Sequence, residues 1–131
     1  MASDPIVVRA SDLSPGATAR GESLVIGNWP ASGTASEVAP LHVHRSDDEA
    51  WYVVEGALRF RLADRELVAE AGTTVVIPAG VPHTFGNAGP DPSRFLIILP
   101  PRLSELIDEL HQVDAADHPD LYRRYDSELL E

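Results

Sequence analysis

Between Ile6 and Leu99 the apolar residues of this chain never run for more than five positions before a polar or turn residue interrupts them. The apolar or alternating runs are Ile6 to Val8, Leu24 to Ile26, Ala50 to Val54, Leu58 to Leu62, Val75 to Ile77 and Phe95 to Leu99. Between them, Ser14-Pro15-Gly16, Glu55-Gly56, Ala71-Gly72, Pro78-Ala79-Gly80 and Asn87-Ala88-Gly89-Pro90 supply the Gly and Pro that a reversing backbone needs. Segments this short cannot make helices long enough to bury a core, whereas strands at this spacing make a sandwich or barrel. Ala31 to Ser36 reads as a loop. After Pro100-Pro101 the period changes: Leu103, Leu106, Ile107 and Leu110 follow the spacing of an amphipathic helix. A second helix is expected from about Pro119, capped by Asp117, with Leu121, Tyr125 and Leu129 along one stripe. Both helices are expected to pack on the outside of the barrel or on a partner subunit.

The length, 131 residues, suits one domain that buries roughly two thirds of the surface of its unfolded chain. The domain is expected to span 1–131, a barrel over about 5–100 and a helical tail over about 102–131. Cysteine is absent, which removes disulfides, thiolate nucleophiles and sulfur metal sites and leaves His, Asp and Glu as metal ligands. Lysine is absent too, so Schiff-base and P-loop chemistry are excluded. A formal charge of −11 argues against nucleic acid or an anionic membrane as partner. Much of that charge lies in the tail, where it reads as a solvated face. The start, Met1-Ala2-Ser3-Asp4-Pro5, has neither the basic residue nor the apolar core of a signal peptide, and no apolar stretch approaches a membrane span. A cytoplasmic protein is expected.

His42 and His44 are one residue apart, so on an extended strand both side chains leave the same face and can converge on one point; a helix would spread them by about 200°. Glu49 follows five residues later, far enough for the chain to turn and return a carboxylate to that point. Further on, a glycine turn, an apolar strand and a rigid Pro78-Ala79-Gly80 corner lead to His83. The two segments, His42-x-His44-x4-Glu49-x6-Gly56 and Gly72-x5-Pro78-x-Gly80-x2-His83-x3-Asn87, resemble both signature motifs of the cupin superfamily. One element departs: where the first motif begins with glycine, this chain has Ser36 or Glu37.

The resemblance implies an all-β fold, a jelly-roll barrel of about six to eight strands followed here by the helical tail. It also implies that His42, His44, Glu49 and His83 ligate one divalent metal ion. The donor set agrees: neutral imidazoles and a carboxylate suit Fe, Mn, Ni, Cu or Zn, and four protein ligands leave up to two octahedral positions open. Strand parity adds a pocket. If Glu49 points inward, so do Trp51 and Val53, and Phe85 accompanies His83. Phe95 and Ile97 join them if their strand faces the same way. Leu58, Phe60 and Leu62 should fill the barrel with Arg59 and Arg61 outside; in the opposite register either Arg could hold a substrate carboxylate. His111 and His118 read as surface residues.

Cupins host many activities, so the fold does not choose among them. The similarity to quercetinase-like single-domain cupins implies a small-molecule dioxygenase in which Glu49 is both ligand and proton acceptor. The alternatives are a non-redox metal-dependent isomerase or lyase, and a non-enzymatic barrel that binds a small ligand. Because Phe95 to Leu99 is apolar throughout, the strand is expected to be covered on both faces, which calls for a homodimer packed sheet to sheet.

Overall fold

The structure is a computed structural model and describes residues 4–9, 17–33 and 37–131. Among the described residues, ten strands precede, surround or follow two short helices: β1 (Ala17–Arg20), β2 (Val25–Ala31), β3 (His42–His44), β4 (Glu49–Glu55), β5 (Ala57–Leu62), β6 (Glu66–Glu70), β7 (Thr74–Ile77), β8 (His83–Asn87), β9 (Ser93–Leu99), α1 (Pro101–Leu110), α2 (His118–Arg124) and β10 (Ser127–Leu129). They form two five-stranded antiparallel sheets, ordered β1-β2-β9-β4-β7 and β10-β3-β8-β5-β6. The crossovers between sheets give the jelly-roll arrangement expected, with more strands than the motifs alone imply.

Alternation builds the core. On β4, Glu49, Trp51 and Val53 are buried while Tyr52 and Val54 are exposed; on β5, Leu58 and Phe60 are fully buried and Arg59 and Arg61 lie outside. The inner aromatic rings meet edge to face, with centroids 5.1 Å apart for Trp51 and Phe60, 5.3 Å for Trp51 and Phe85, and 5.3 Å for Phe85 and Phe95. Each such pair adds about 0.5–1.5 kcal/mol beyond the area it buries.

The motif residues that carry no ligand fix the corners. Gly56, at φ +75°, joins β4 to β5, and a Cβ there would lie 2.4 Å from Ser93 Oγ. Asn87 is a loop clamp: its Nδ2 reaches the carbonyls of Gly33, Gly89 and Asp91 at 2.8–3.0 Å, and its Oδ1 accepts from Ser93 Oγ at 2.5 Å.

Several sequence expectations change. Ile6 to Val8 is exposed and belongs to no strand, and Ser14-Pro15-Gly16 lies outside the described residues. The run at Leu24 to Ile26 is only the start of β2, which continues through Gly27, Asn28 and Pro30 to Ala31 because all seven of its residues pair with β9; the ladder outweighs weak local propensity. β1 and β6 were not anticipated, since too few of their side chains are apolar to mark an inner face. On β9, Phe95, Ile97 and Leu99 are buried, but Leu96 and Ile98, on the outer face of the sheet, are only half-buried among the described residues.

The tail differs most. α2 is two turns long, so Leu129 is not on its stripe. Asp126, at φ +52°, reverses the chain, and Ser127–Leu129 adds to the edge of β3 as a strand. The helices lie across one end of the sandwich, with Leu103, Leu106, Leu121 and Tyr122 buried against it. Ion pairs Arg20–Asp108 at 3.0 Å and Arg102–Asp47 at 2.6 Å join α1 to the strands. No helix among the described residues is long and apolar enough to cross a membrane.

Candidate metal centre

His42 and His44 project from one face of β3, and the backbone ladder sets His42 directly opposite His83 on β8. The three imidazoles thus come from adjacent strands of one sheet. Glu49, the first residue of β4, reaches them from the other sheet after the chain crosses over through residues 45–48. All four residues are buried, and one ligand atom from each lies within 4.8 Å of the others. Two ligands about 2.1 Å from a shared ion stand at most about 4.2 Å apart, so little movement separates this cluster from a coordination sphere.

Hydrogen bonds at the far side of each ring settle which nitrogen faces inward. His42 Nδ1 lies 2.8 Å from Pro40 O and His83 Nδ1 2.8 Å from Val81 O. A carbonyl only accepts, so both Nδ1 atoms carry hydrogen. His44 Nδ1 lies 2.7 Å from Ser127 Oγ, a hydroxyl also 3.0 Å from Tyr125 O; with its hydrogen on Tyr125 O, the hydroxyl accepts from this Nδ1. Each Nε2 is left to face the centre.

That arrangement tests the donor set for a cation. Glu49 Oε1 sits 2.8 Å from His44 Nε2 and 3.1 Å from His83 Nε2. Without a cation, each of these contacts needs a proton on the facing Nε2, so two ring N–H groups crowd one buried carboxylate. Burial works to raise the Glu49 carboxyl, but its contacts with His44 and His83 outweigh it and hold the group well below the usual carboxylate range. His42 stays neutral: burial, then the neighbouring His83 and His44, push it down to about 4. One divalent ion would take the place of those protons and could meet all four donors. The residues fit such an ion, with the outer hydrogen bonds that orient metal-bound imidazoles already made.

A cavity of about 360 Å³ opens on this cluster. Trp51, Phe85, Phe95 and Ile97 line it, together with Trp29 from β2 and Leu103, Leu106, Ile107 and Leu110 from α1. Val53, expected beside them, is fully buried one inward position farther along β4, opposite Phe95, and forms no part of the wall. Gly27 leaves room for the wall, since a Cβ there would sit 2.9 Å from Trp29 Nε1 and 3.2 Å from Ile97 Cγ2. Trp51 Nε1 is buried with no hydrogen-bond partner among the described residues.

The sequence reading placed neither Trp29 nor the α1 residues in the lining, nor Tyr122, His118 and His111. Tyr122, buried on α2, places its ring 5.4 Å from His42 and stacks it at 7° and 6.3 Å on His44; burial, then the charge of Glu49, pushes its phenol up to about 12. The i, i+4 pattern singled out Leu121 and Tyr125 instead, and Tyr125 is half-buried with its hydroxyl on Glu109. His118 is half-buried rather than on the surface, its Nε2 donating to Leu110 O at 3.1 Å, and His111 is exposed at the rim, 6.2 Å from the ring of Trp29. Arg61 faces outward as expected and is spent on two carboxylates, Glu37 at 2.8 Å and Glu131 at 2.7 Å.

Two facing antiparallel sheets with crossovers, and a three-histidine, one-glutamate cluster at one end, define a double-stranded β-helix protein with a candidate metal centre. A model of the cupin domain matches residues 34–99, and the chain belongs to that family. Among solved structures, an uncharacterized conserved protein with a double-stranded β-helix domain from Klebsiella pneumoniae is 26% identical, with 72% of this chain and 83% of that one covered and a TM-score of 0.57. A sugar phosphate isomerase of the cupin superfamily from Silicibacter pomeroyi is 25% identical over 60% of this chain and 50% of that one, with a TM-score of 0.54. An uncharacterized protein from Methanocaldococcus jannaschii is 32% identical over 56 residues, 43% of this chain; the match spans less than half, 45%, of that curated relative.

Proposed function

We propose that His42, His44, Glu49 and His83 bind one divalent transition metal ion, and that the protein is a metal-dependent dioxygenase of a small, largely apolar molecule bearing an enol or phenol oxygen. The observation that carries this reading is the contrast within one cavity: an ionic cluster at its base and, elsewhere, walls that are aromatic and aliphatic with no Arg or Lys. A bound ion of this series supplies Lewis acidity and, where it is redox-active, electron exchange with O₂. Glu49 then accepts the proton of the substrate hydroxyl as that oxygen approaches the centre. Trp51, Phe85 and Phe95 hold the flat body of the substrate. α1 and Tyr122 exclude bulk water from the same space.

The non-redox reading is favoured by one observation, the likeness to a sugar phosphate isomerase. Against a phosphate stands the absence of Arg and Lys from the lining residues, where His118, at the start of α2, already donates to Leu110 O and His111 lies at the rim. Oxygen uptake discriminates. The purified chain, reloaded in turn with Fe, Mn, Ni, Cu and Zn, should consume O₂ with a phenolic or diketone substrate for at least one redox-active metal. Turnover without O₂ would replace the dioxygenase reading with the isomerase or lyase one, and saturable binding without turnover would leave a ligand-binding barrel.

The outer face of the β1-β2-β9-β4-β7 sheet supports a homodimer. Ile26, Ile98, Ala50 and Val76 stand in one row across four strands, and Leu96 and Tyr52 stand in the next. Val76 is 57% exposed and Tyr52 39%. A second copy packed on this face would cover the half-buried side of β9.

A further inference from the structure

The three imidazoles differ in where their outer hydrogen bonds come from. His42 and His83 each use a carbonyl two residues earlier in the chain, Pro40 O and Val81 O. His44 relies on Ser127, 83 residues away, on the C-terminal strand. We propose that Ser127 is a positioning residue of the metal centre, and that through it docking of the C-terminal segment 121–131 and binding of the ion are one coupled equilibrium. The inference rests on the metal-centre reading above.

With an ion on Nε2 the His44 proton sits on Nδ1, and the surroundings of Ser127 receive it. Ser127 Oγ is buried, gives its hydrogen to Tyr125 O at 3.0 Å and presents a lone pair to His44 Nδ1 at 2.7 Å. That bond holds His44 in the tautomer whose Nε2 lone pair faces the centre. Without an acceptor at Ser127, a buried Nδ1–H is unsatisfied, and the favoured tautomer moves the proton to Nε2, where it points at Glu49 and opposes an ion. The register that brings Ser127 here is set by β10, which pairs Ser127 with His44 and Leu129 with His42. Backbone bonds from Arg45 N to Asp126 O at 2.9 Å and from Leu130 N to Leu41 O at 2.8 Å close both ends of the ladder. Glu131 adds a pin, accepting from Leu41 N at 3.0 Å and from Arg61.

The same segment carries Tyr122, whose ring lies on His44 and whose side chain lines the cavity. Docking it therefore finishes the ligand geometry and roofs the substrate space together. Linkage makes the effect mutual: whatever factor the docked segment adds to ion affinity, the ion adds to docking. Outer hydrogen-bond partners of metal-bound imidazoles typically change affinity about 10- to 100-fold, and that is the expected size here.

The test uses the full chain with zinc as probe. Zinc affinity is measured by competition with a chelator for the natural sequence, Ser127→Ala and Ser127→Thr, and amide exchange is followed at Arg45 and Leu130 with and without zinc. Long-range ¹H–¹⁵N spectra of the zinc-loaded chain report the His44 Nδ1 proton. In the natural sequence zinc should slow exchange at both amides. Ser127→Ala should bind zinc about 10- to 100-fold more weakly, lose a similar factor of zinc-induced protection and lose the hydrogen-bonded His44 Nδ1 proton signal, while Ser127→Thr, which keeps the hydroxyl, should restore all three. Zinc affinity in Ser127→Ala within threefold of the natural sequence, with the Nδ1 signal unchanged, overturns the coupling and leaves the metal centre standing. A natural sequence that takes up no zinc overturns the metal centre and the coupling with it. If Ser127→Ala does not fold, the natural sequence decides: exchange at Arg45 and Leu130 that does not respond to zinc overturns the proposal.

Discussion

The metal-free protein should lose stability on mild acidification, and His42 sets the window. In the folded chain its imidazole is pushed down to about 4, from 6.5, chiefly by burial. The unfolded chain therefore takes up this proton from about pH 6.5 and the folded chain only near pH 4, so between those values acid favours the unfolded state. At about 1.4 kcal/mol per pH unit between the two pKa values, the loss from about pH 7 to about pH 4.5 is about 2 kcal/mol. For a domain of this size that lowers the melting temperature by roughly 6–10 °C. Glu49 acts in the same direction, since a depressed carboxyl pKa gives stability that is lost as pH falls, but its loss begins below the ordinary carboxylate value of 4.5. The interval above about pH 4.5 thus isolates the histidine. The assay is thermal unfolding of chelator-treated protein at a series of pH values, with His42→Gln beside it. Glutamine can still donate to Pro40 O and does not titrate, so the variant should show a much flatter pH dependence. Saturating zinc should raise the melting temperature more at pH 7 than at pH 5, because ion and proton compete for the same nitrogens. A His42→Gln curve as steep as the natural one would refute the assignment, as would a metal-free protein that melts higher at pH 5 than at pH 7.

Other outcomes follow from single side chains. Glu49→Gln should retain zinc on the three imidazoles yet lower turnover about 10²- to 10⁴-fold, and full activity in that variant would remove the proton-acceptor role. Gly56→Ala should destabilise the fold by about 2–4 kcal/mol in urea unfolding, since it adds a left-handed alanine and drives its Cβ against Ser93 Oγ; a loss under 0.5 kcal/mol would contradict that close approach. Val76→Arg, on an outward position, should leave the melting temperature of the monomer unchanged and convert the proposed dimer to monomer in sedimentation velocity, whereas a monomeric natural protein at high micromolar concentration would refute the dimer.

The ligand set was legible because each part of it is a local pattern. His42 and His44 share a face by strand parity, Gly56 and Gly80 mark turns by composition, and Trp51 follows Glu49 inward by the same two-residue period. Periodicity failed where packing overrode it. β2 continues through Gly27 and Pro30 because β9 supplies the ladder, and Val53 obeys the parity rule yet misses the cavity because parity gives a face and not a depth.

By itself the sequence determined the all-β body and the apolar character of much of the pocket, since these depend on neighbours a few residues apart, and its two motifs, through the resemblance, named the four candidate ligands. Only the tertiary structure decided what stands behind and above those ligands. Tyr122 on the face of His44, Ser127 behind its Nδ1, and α1 over the cavity all come from a tail that reads, residue by residue, as an acidic helical appendage. The physical reason is that a left-handed Asp126 turns a two-turn helix into an edge strand, and strand pairing joins residues by register, which no spacing along the chain encodes.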